Sequence, residues 1–311
     1  MKNESYNPKF KNIMQKKMNR IIFILAALFL THTISAQFGG WGPQSRIETK
    51  TIQSNVLNAE RDYTIFLPKS YDTDVNKKYP ILYLFHGMGG INTSWFHDQH
   101  AKDVADQLIA SGEACEMIIV SPNAGGDINQ GAWNGYFDMF GWKYETFFFT
   151  EFLPHIESIY RVIGDKQHRA IAGLSMGGGG ATSYAQRHSD KFVAAYAMSA
   201  LMDIPGQGAA QSQREDEKMA ILTKSVQDHS CVKYVTDADE SRKAQLRSVR
   251  WFVDCGDDDF LLDRNIEFTQ AMRVAQIPCE FRVRDGGHTS EYWHSALYIC
   301  LPYVTRCFYV Q

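Results

Sequence analysis

The 311-residue chain has no CxxC pair among its six cysteines, which removes the usual signatures of a zinc ribbon and of a dithiol redox centre. It has no basic block: 32 Lys and Arg stand against 35 Asp and Glu, so nothing in the charge pattern favours nucleic acid as a partner. It also lacks an apolar run long enough to cross a bilayer, which takes about 20 residues. The run at 21–30, IIFILAALFL, has ten. No internal repeat, low-complexity tract or Pro/Gly/Ser linker divides residues 37–311, so one domain is expected there.

What is present begins with an export pattern. Lys16, Lys17 and Arg20 precede the apolar run, and THTISA follows it before Gln37, so residues 1–36 read as a signal peptide, for which Met18 is a better-proportioned start than Met1. Cleavage after Ala36 would remove six basic residues and one acidic residue, taking the formal charge from −3 to −8. The expected mature protein is periplasmic or secreted, with no stable membrane insertion once the signal is gone. An oxidising compartment permits one or two disulfides at most, while Cys115, Cys255 and Cys279 sit in strand-like apolar stretches that suit buried thiols.

Short β-branched or aromatic runs alternate with longer helical patterns. Strands are expected at 46–54, 61–68, 79–87, 115–122, 168–174, 191–199, 249–256 and 279–285, and helices at 98–111, 145–160, 176–188, 262–275 and 290–307. The first two strands have no helix between them and form an antiparallel hairpin. From residue 79 the βαβ rhythm implies an α/β fold, with a mostly parallel central sheet covered by helices on both faces. Residues 203–248 break the rhythm with a polar, charged stretch read as a short helical insertion over the site. Ligands of such sheets bind beyond the carboxyl ends of the strands, so polar residues just after strands carry the functional signal.

The strongest such signal is Gly173-Leu174-Ser175-Met176-Gly177. A serine between glycines, at the junction of a strand and a helix, is the setting of a nucleophile elbow, where the bend exposes the hydroxyl and the helix N-terminus favours developing negative charge. A hydroxyl attacks only when a base takes its proton and an acid orients the base. These should follow in the order acid, then histidine, each just past a strand. VDCGDDDFLLDRN supplies Asp254, Asp257, Asp258, Asp259 and Asp263; Asp254 lies within the strand and Asp263 on the helix, so Asp259 is preferred, with Asp258 second. VRDGGHTSEYW supplies His288. The oxyanion hole requires two backbone N–H groups. Met176 offers one and Met88, in LFHGMGG after the third strand, the other. No carboxylate or cysteine cluster completes a metal site with His97 and His100, and His294 falls on the last helix; no metal or cofactor is expected.

YLFHGMGG, GLSMGG, DCGDDDFL and the GGH with Trp293 five residues on resemble, in this order, the esterase D branch of the α/β-hydrolases, and within it carbohydrate esterase family one, which includes feruloyl and acetylxylan esterases. The similarity covers roughly residues 50–308. It implies an α/β-hydrolase fold, a triad of Ser175, Asp259 and His288, and oxyanion amides on Met88 and Met176. One position departs from the pattern: family members often carry an aromatic two residues past the histidine, where this chain has Ser290.

The Gly- and Asn-rich loop at 121–145 follows the fourth strand, and Trp133, Tyr136 and Trp142 in it, with Trp95 and Trp293 elsewhere, are candidates to stack on a sugar or cinnamoyl ring. Export and the resemblance together imply a serine carboxylesterase whose partner is an acylated oligosaccharide or polysaccharide, with feruloyl or acetyl esters of plant cell walls as substrates. An acyltransferase, or a thioesterase like the S-formylglutathione hydrolases, would use the same triad. A non-catalytic binding protein on a hydrolase fold is a third reading, disfavoured by the complete set of catalytic groups.

Overall fold

Ile81–Phe85 is apolar at every position, a pattern that a strand can keep only when both its faces are covered. In the computed structural model, which describes residues 44–126, 132–204 and 217–309, this segment lies inside a sheet, buried throughout. Ile81, Tyr83 and Phe85 enter one apolar cluster, and Leu82 and Leu84 enter the other, on the opposite face. The alternation of side chains along a strand thus builds two core layers around one sheet.

The strands in chain order are β1 (Arg46–Ser54), β2 (Ala59–Leu67), β3 (Ile81–Phe85), β4 (Ile118–Pro122), β5 (Asp138–Met139), β6 (Trp142–Lys143), β7 (Arg169–Leu174), β8 (Ala194–Met198), β9 (Arg250–Gly256) and β10 (Cys279–Arg284). Eight form one sheet in the order β1-β2-β4-β3-β7-β8-β9-β10. β1 pairs with β2, and β2 with β4, antiparallel; every later pairing is parallel. All eight expected strands are present, within a few residues at their ends. β10 closes one edge and is largely exposed, with Glu280, Arg282 and Arg284 along it, charges that discourage pairing with another edge. β5 and β6 form a two-residue hairpin within the 121–145 loop, too short to leave a periodic trace in the sequence.

The helices are α1 (Ser94–His97), α2 (Ala101–Ser111), α3 (Tyr144–Phe147), α4 (Leu153–Ile159), α5 (Met176–Arg187), α6 (Glu217–Asp228), α7 (Cys231–Thr236), α8 (Glu240–Arg247), α9 (Leu262–Val274) and α10 (Ser290–Tyr309). The helix expected at 145–160 is interrupted: a π-helical turn over Phe148–Phe152 joins α3 to α4. Pro154, with no N–H, cannot bond the carbonyl four residues back, and the chain widens there. The described part of the insertion beyond residue 216 is helical. Ser230 and Asp239 cap α7 and α8 by accepting from the Lys233 and Arg242 amides.

Ser45–Gln311 form one compact unit. The N-terminal unit, Met1–Gln44, lies almost wholly outside the described residues, and the expected signal peptide falls there. Among the described residues no helix is long and apolar enough to cross a membrane. All six cysteines are free thiols, and Cys115 and Cys279 are half-buried rather than buried as expected.

Candidate active site

The parallel register brings the carboxyl ends of β3, β7, β9 and β10 to one edge: Phe85 pairs with Gly173, Leu174 with Met198, Met198 with Asp254, and Arg284 with Gly256. The candidate catalytic residues all sit in the turns that leave this edge. Ser175 lies between β7 and α5 with φ 54° and ψ −122°, a conformation that a residue with a Cβ adopts only under constraint. The constraint is visible: the Ser175 amide donates to the Met198 carbonyl at 2.9 Å, and the Ser175 carbonyl accepts from the Leu201 amide at 2.9 Å. A Cβ on Gly173 would strike the Gly177 carbonyl, and one on Gly177 would strike the Phe85 and His86 carbonyls. Both glycines therefore mark close backbone approaches that let the chain fold back at Ser175.

Across this edge, His288 Nε2 lies 2.9 Å from Ser175 Oγ, and His288 Nδ1 lies 2.9 Å from Asp259 Oδ2 and 3.1 Å from Oδ1. The Asp259 carboxylate is buried and also accepts from the Leu261 amide at 2.8 Å. Burial alone would push its pKa up, but the bonds from His288 and Leu261 outweigh this and hold the carboxyl below its ordinary value, so it is ionised and keeps the imidazole proton on Nδ1.

The competing carboxylates are occupied elsewhere. Asp257 is exposed and accepts from the Gly286 amide at 3.0 Å, shaping the loop that carries His288. Asp258 points to solvent, and Asp263 lies in the first turn of α9. Asp254 is fully buried and accepts from Tyr196, Tyr292 and Arg284.

The loop after β3 is pinned by His86. Its buried imidazole donates from Nδ1 to the Gly87 carbonyl at 2.8 Å and accepts at Nε2 from the Ala124 amide at 3.0 Å. Burial pulls its pKa down to about 4, so the ring is neutral with a fixed tautomer. Tyr136 donates its hydroxyl to the His86 carbonyl at 2.9 Å while stacking on Phe85 at 4.2 Å. The loop so held carries Met88 into the cleft, its side chain exposed. The Met88 amide and the Met176 amide, which opens α5, donate to no acceptor among the described residues, so both are free to meet an oxygen anion.

Ser175, His288, Met88, Gln99, Ser290 and Trp293 line a cleft of about 310 Å³. Trp293 stands edge-on to His288 with ring centroids 4.8 Å apart, and Phe260 lies 4.6 Å away from the same imidazole. Phe260, exposed beside the site, was not singled out in the sequence; its place directly after Asp259 was the available signal. The other candidate stacking residues are placed differently. Trp95 is fully buried in the core, Tyr136 is committed to Phe85 and His86, and Trp142 is buried with its Nε1 donating to the Gly135 carbonyl. These three pack the fold rather than face the cleft, which corrects the expectation that they meet substrate. Trp133 is half-buried, does not line the cleft, and lies beneath the Lys218 ammonium at 5.0 Å. No described residue of the insertion lines the cleft; Leu222 and Val226 pack instead beside Met176 and Tyr136. Residues 127–131 and 205–216 lie outside the described residues.

His97 and His100 are exposed, and His294 donates from Nδ1 to the Gln99 carbonyl at 2.9 Å. Among the described residues no group of three or more His, Cys, Asp or Glu could hold a metal ion.

The chain is similar in sequence and fold to known proteins. The Esterase family model matches residues 54–303. A solved ferulic acid esterase is 69% identical, with a TM-score of 0.80, over 85% of this chain and 99% of that one. The endo-1,4-β-xylanase/feruloyl esterase of Xylanibacter ruminicola is 33% identical over 135 residues, 42% of this chain but only 18% of that much longer protein. A ferulic acid esterase of Anaeromyces mucronatus, solved with ferulic acid, is 20% identical with a TM-score of 0.66 over 83% of this chain and 90% of that one, and shares the fold.

Proposed function

The chain belongs to the esterase family, and we propose that it is an exported serine carboxylesterase that releases feruloyl or acetyl groups from plant cell-wall polysaccharides, feruloyl before acetyl. The observation that carries this reading is the unbroken relay from Ser175 Oγ through both nitrogens of His288 to the buried Asp259 carboxylate. The 69% identity to a ferulic acid esterase supports the choice of acyl group, and the basic and apolar pattern of residues 1–36 supports export to the periplasm or beyond.

Ser175 Oγ attacks the ester carbonyl as His288 Nε2 takes its proton, and Asp259 stabilises the imidazolium through Nδ1–H. Negative charge that develops on the carbonyl oxygen is met by the Met88 and Met176 amides and by the N-terminus of α5. Collapse of the tetrahedral intermediate breaks the bond to the alcohol, which leaves with the proton held on His288. Water then attacks the acyl-serine, with His288 as general base, and restores the free hydroxyl. Substrate enters along the cleft past Trp293, whose ring stands edge-on to the imidazole, with Phe260 on the same imidazole.

Product release from methyl ferulate and from acetylated xylan, by the protein and by its Ser175→Ala variant, tests this reading. Ferulate release that vanishes in the variant is the expected result. Acetate release alone would move the substrate to small acyl groups, and release undiminished in the variant would remove Ser175 from the chemistry.

A further inference from the structure

Two polar groups of cleft-lining residues have no partner among the described residues. Gln99 is 4% exposed and lines the cleft; its Nε2 donates to Ser290 Oγ at 3.1 Å, while its Oε1 bonds to nothing. Trp293, one turn beyond Ser290 on α10, lines the same cleft, and its buried Nε1–H also has no acceptor. The Gln99 carbonyl is tied to the same helix turn through His294 Nδ1 at 2.9 Å. Buried polar groups in folded proteins are almost always paired, and an unmet donor and acceptor in one cleft are costly unless something that enters the cleft answers them.

A hydroxyl both donates and accepts, so it can serve the Gln99 amide in either orientation. The side chain that seats Gln99 is Ser290, whose Oγ accepts from the Gln99 Nε2.

We propose that Gln99, seated by Ser290, is a specificity-determining residue that takes a hydroxyl of the bound ester. The inference rests on the esterase reading above and deepens it. The hydroxyl can belong to the ring of a hydroxycinnamoyl group or to the sugar alcohol, and the two sources are separable by substrate.

The experiment compares kcat/KM for methyl 4-hydroxycinnamate and methyl cinnamate in the protein and in its Gln99→Met and Ser290→Ala variants. Both substrates are read on the same preparation, so their ratio does not depend on how much of a variant has folded. The expected ratio is roughly ten in the unmodified protein, near one in Gln99→Met and intermediate in Ser290→Ala, the scale of one net hydrogen bond. A second pair, the methyl and sugar esters of cinnamic acid, gives the other arm. An acyl ratio that stays constant while preference for the sugar ester falls in Gln99→Met assigns the hydroxyl to the alcohol and supports the role of Gln99. Ratios unchanged in both pairs, as a bound water would leave them, overturn the inference alone. An unmodified protein that cleaves an aryl acetate but neither cinnamoyl ester overturns the feruloyl reading and this inference together.

Discussion

Tyr292 donates its phenolic hydrogen to Asp254 at 2.5 Å, which joins the first turn of α10, four residues after His288, to strand β9. The same carboxylate accepts from Tyr196 at 2.7 Å and from Arg284 Nε at 3.2 Å, and the Arg284 guanidinium stacks on the Tyr292 ring at 4.1 Å. The loop that carries His288 is therefore held at both ends by one buried charge. Asp254→Asn leaves Arg284 without its counter-charge and should destabilise the fold by about 3 kcal/mol. Tyr292→Phe removes one donor of three and should cost about 1 kcal/mol. Urea denaturation of the two variants checks both the size and the order.

Three aspartates stand together after β9, and only Asp259 meets the imidazole. Asp259→Asn should lower kcat by about 10⁴, because an amide can present an N–H to Nδ1 and favour the wrong tautomer. Asp257→Asn keeps an oxygen for the Gly286 amide and should cost less than about tenfold, the scale of one hydrogen bond. Steady-state kinetics on methyl ferulate ranks them, and the reverse order would reassign the acid.

His86 links acid stability to the oxyanion loop. Burial lowers its pKa to about 4 from an ordinary value near 6.5, so as pH falls the unfolded chain takes up a proton that the folded one refuses. Its contribution is complete above pH 6.5 and is lost between there and about pH 4, by up to roughly 3 kcal/mol. Urea midpoints should fall across that window in the unmodified protein. His86→Gln, which still offers an oxygen to the Ala124 amide, should show a flatter profile; an equally steep one would mean that other groups carry the acid sensitivity.

The strands and the chain order of the site were legible because each depends on local pattern: β3 is apolar throughout, Ser175 lies between glycines that the backbone demands, and Asp259 and His288 each follow a strand. The aromatic candidates were not, because a tryptophan in a polar loop has the same sequence signature whether it faces a ligand or the core. Trp95 and Trp142 turned inward through long-range packing, while Trp293 stayed at the cleft beside His288. The fate of Asp254 was only half legible. Strand alternation turns it from the site, but its partners Tyr196, Arg284 and Tyr292 come from three other elements. The same holds for Gln99 and Ser290, which lie 191 residues apart in the chain and meet only in the fold.

The central claim, that Ser175 becomes acylated, is tested most directly by stopping turnover of methyl ferulate in acid within milliseconds and mapping the covalent adduct by peptide mass spectrometry. A feruloyl group on the peptide that contains Ser175, absent from that peptide in Ser175→Ala, is the result expected. An adduct on another residue, or ferulate release by Ser175→Ala at the unmodified rate, would contradict it.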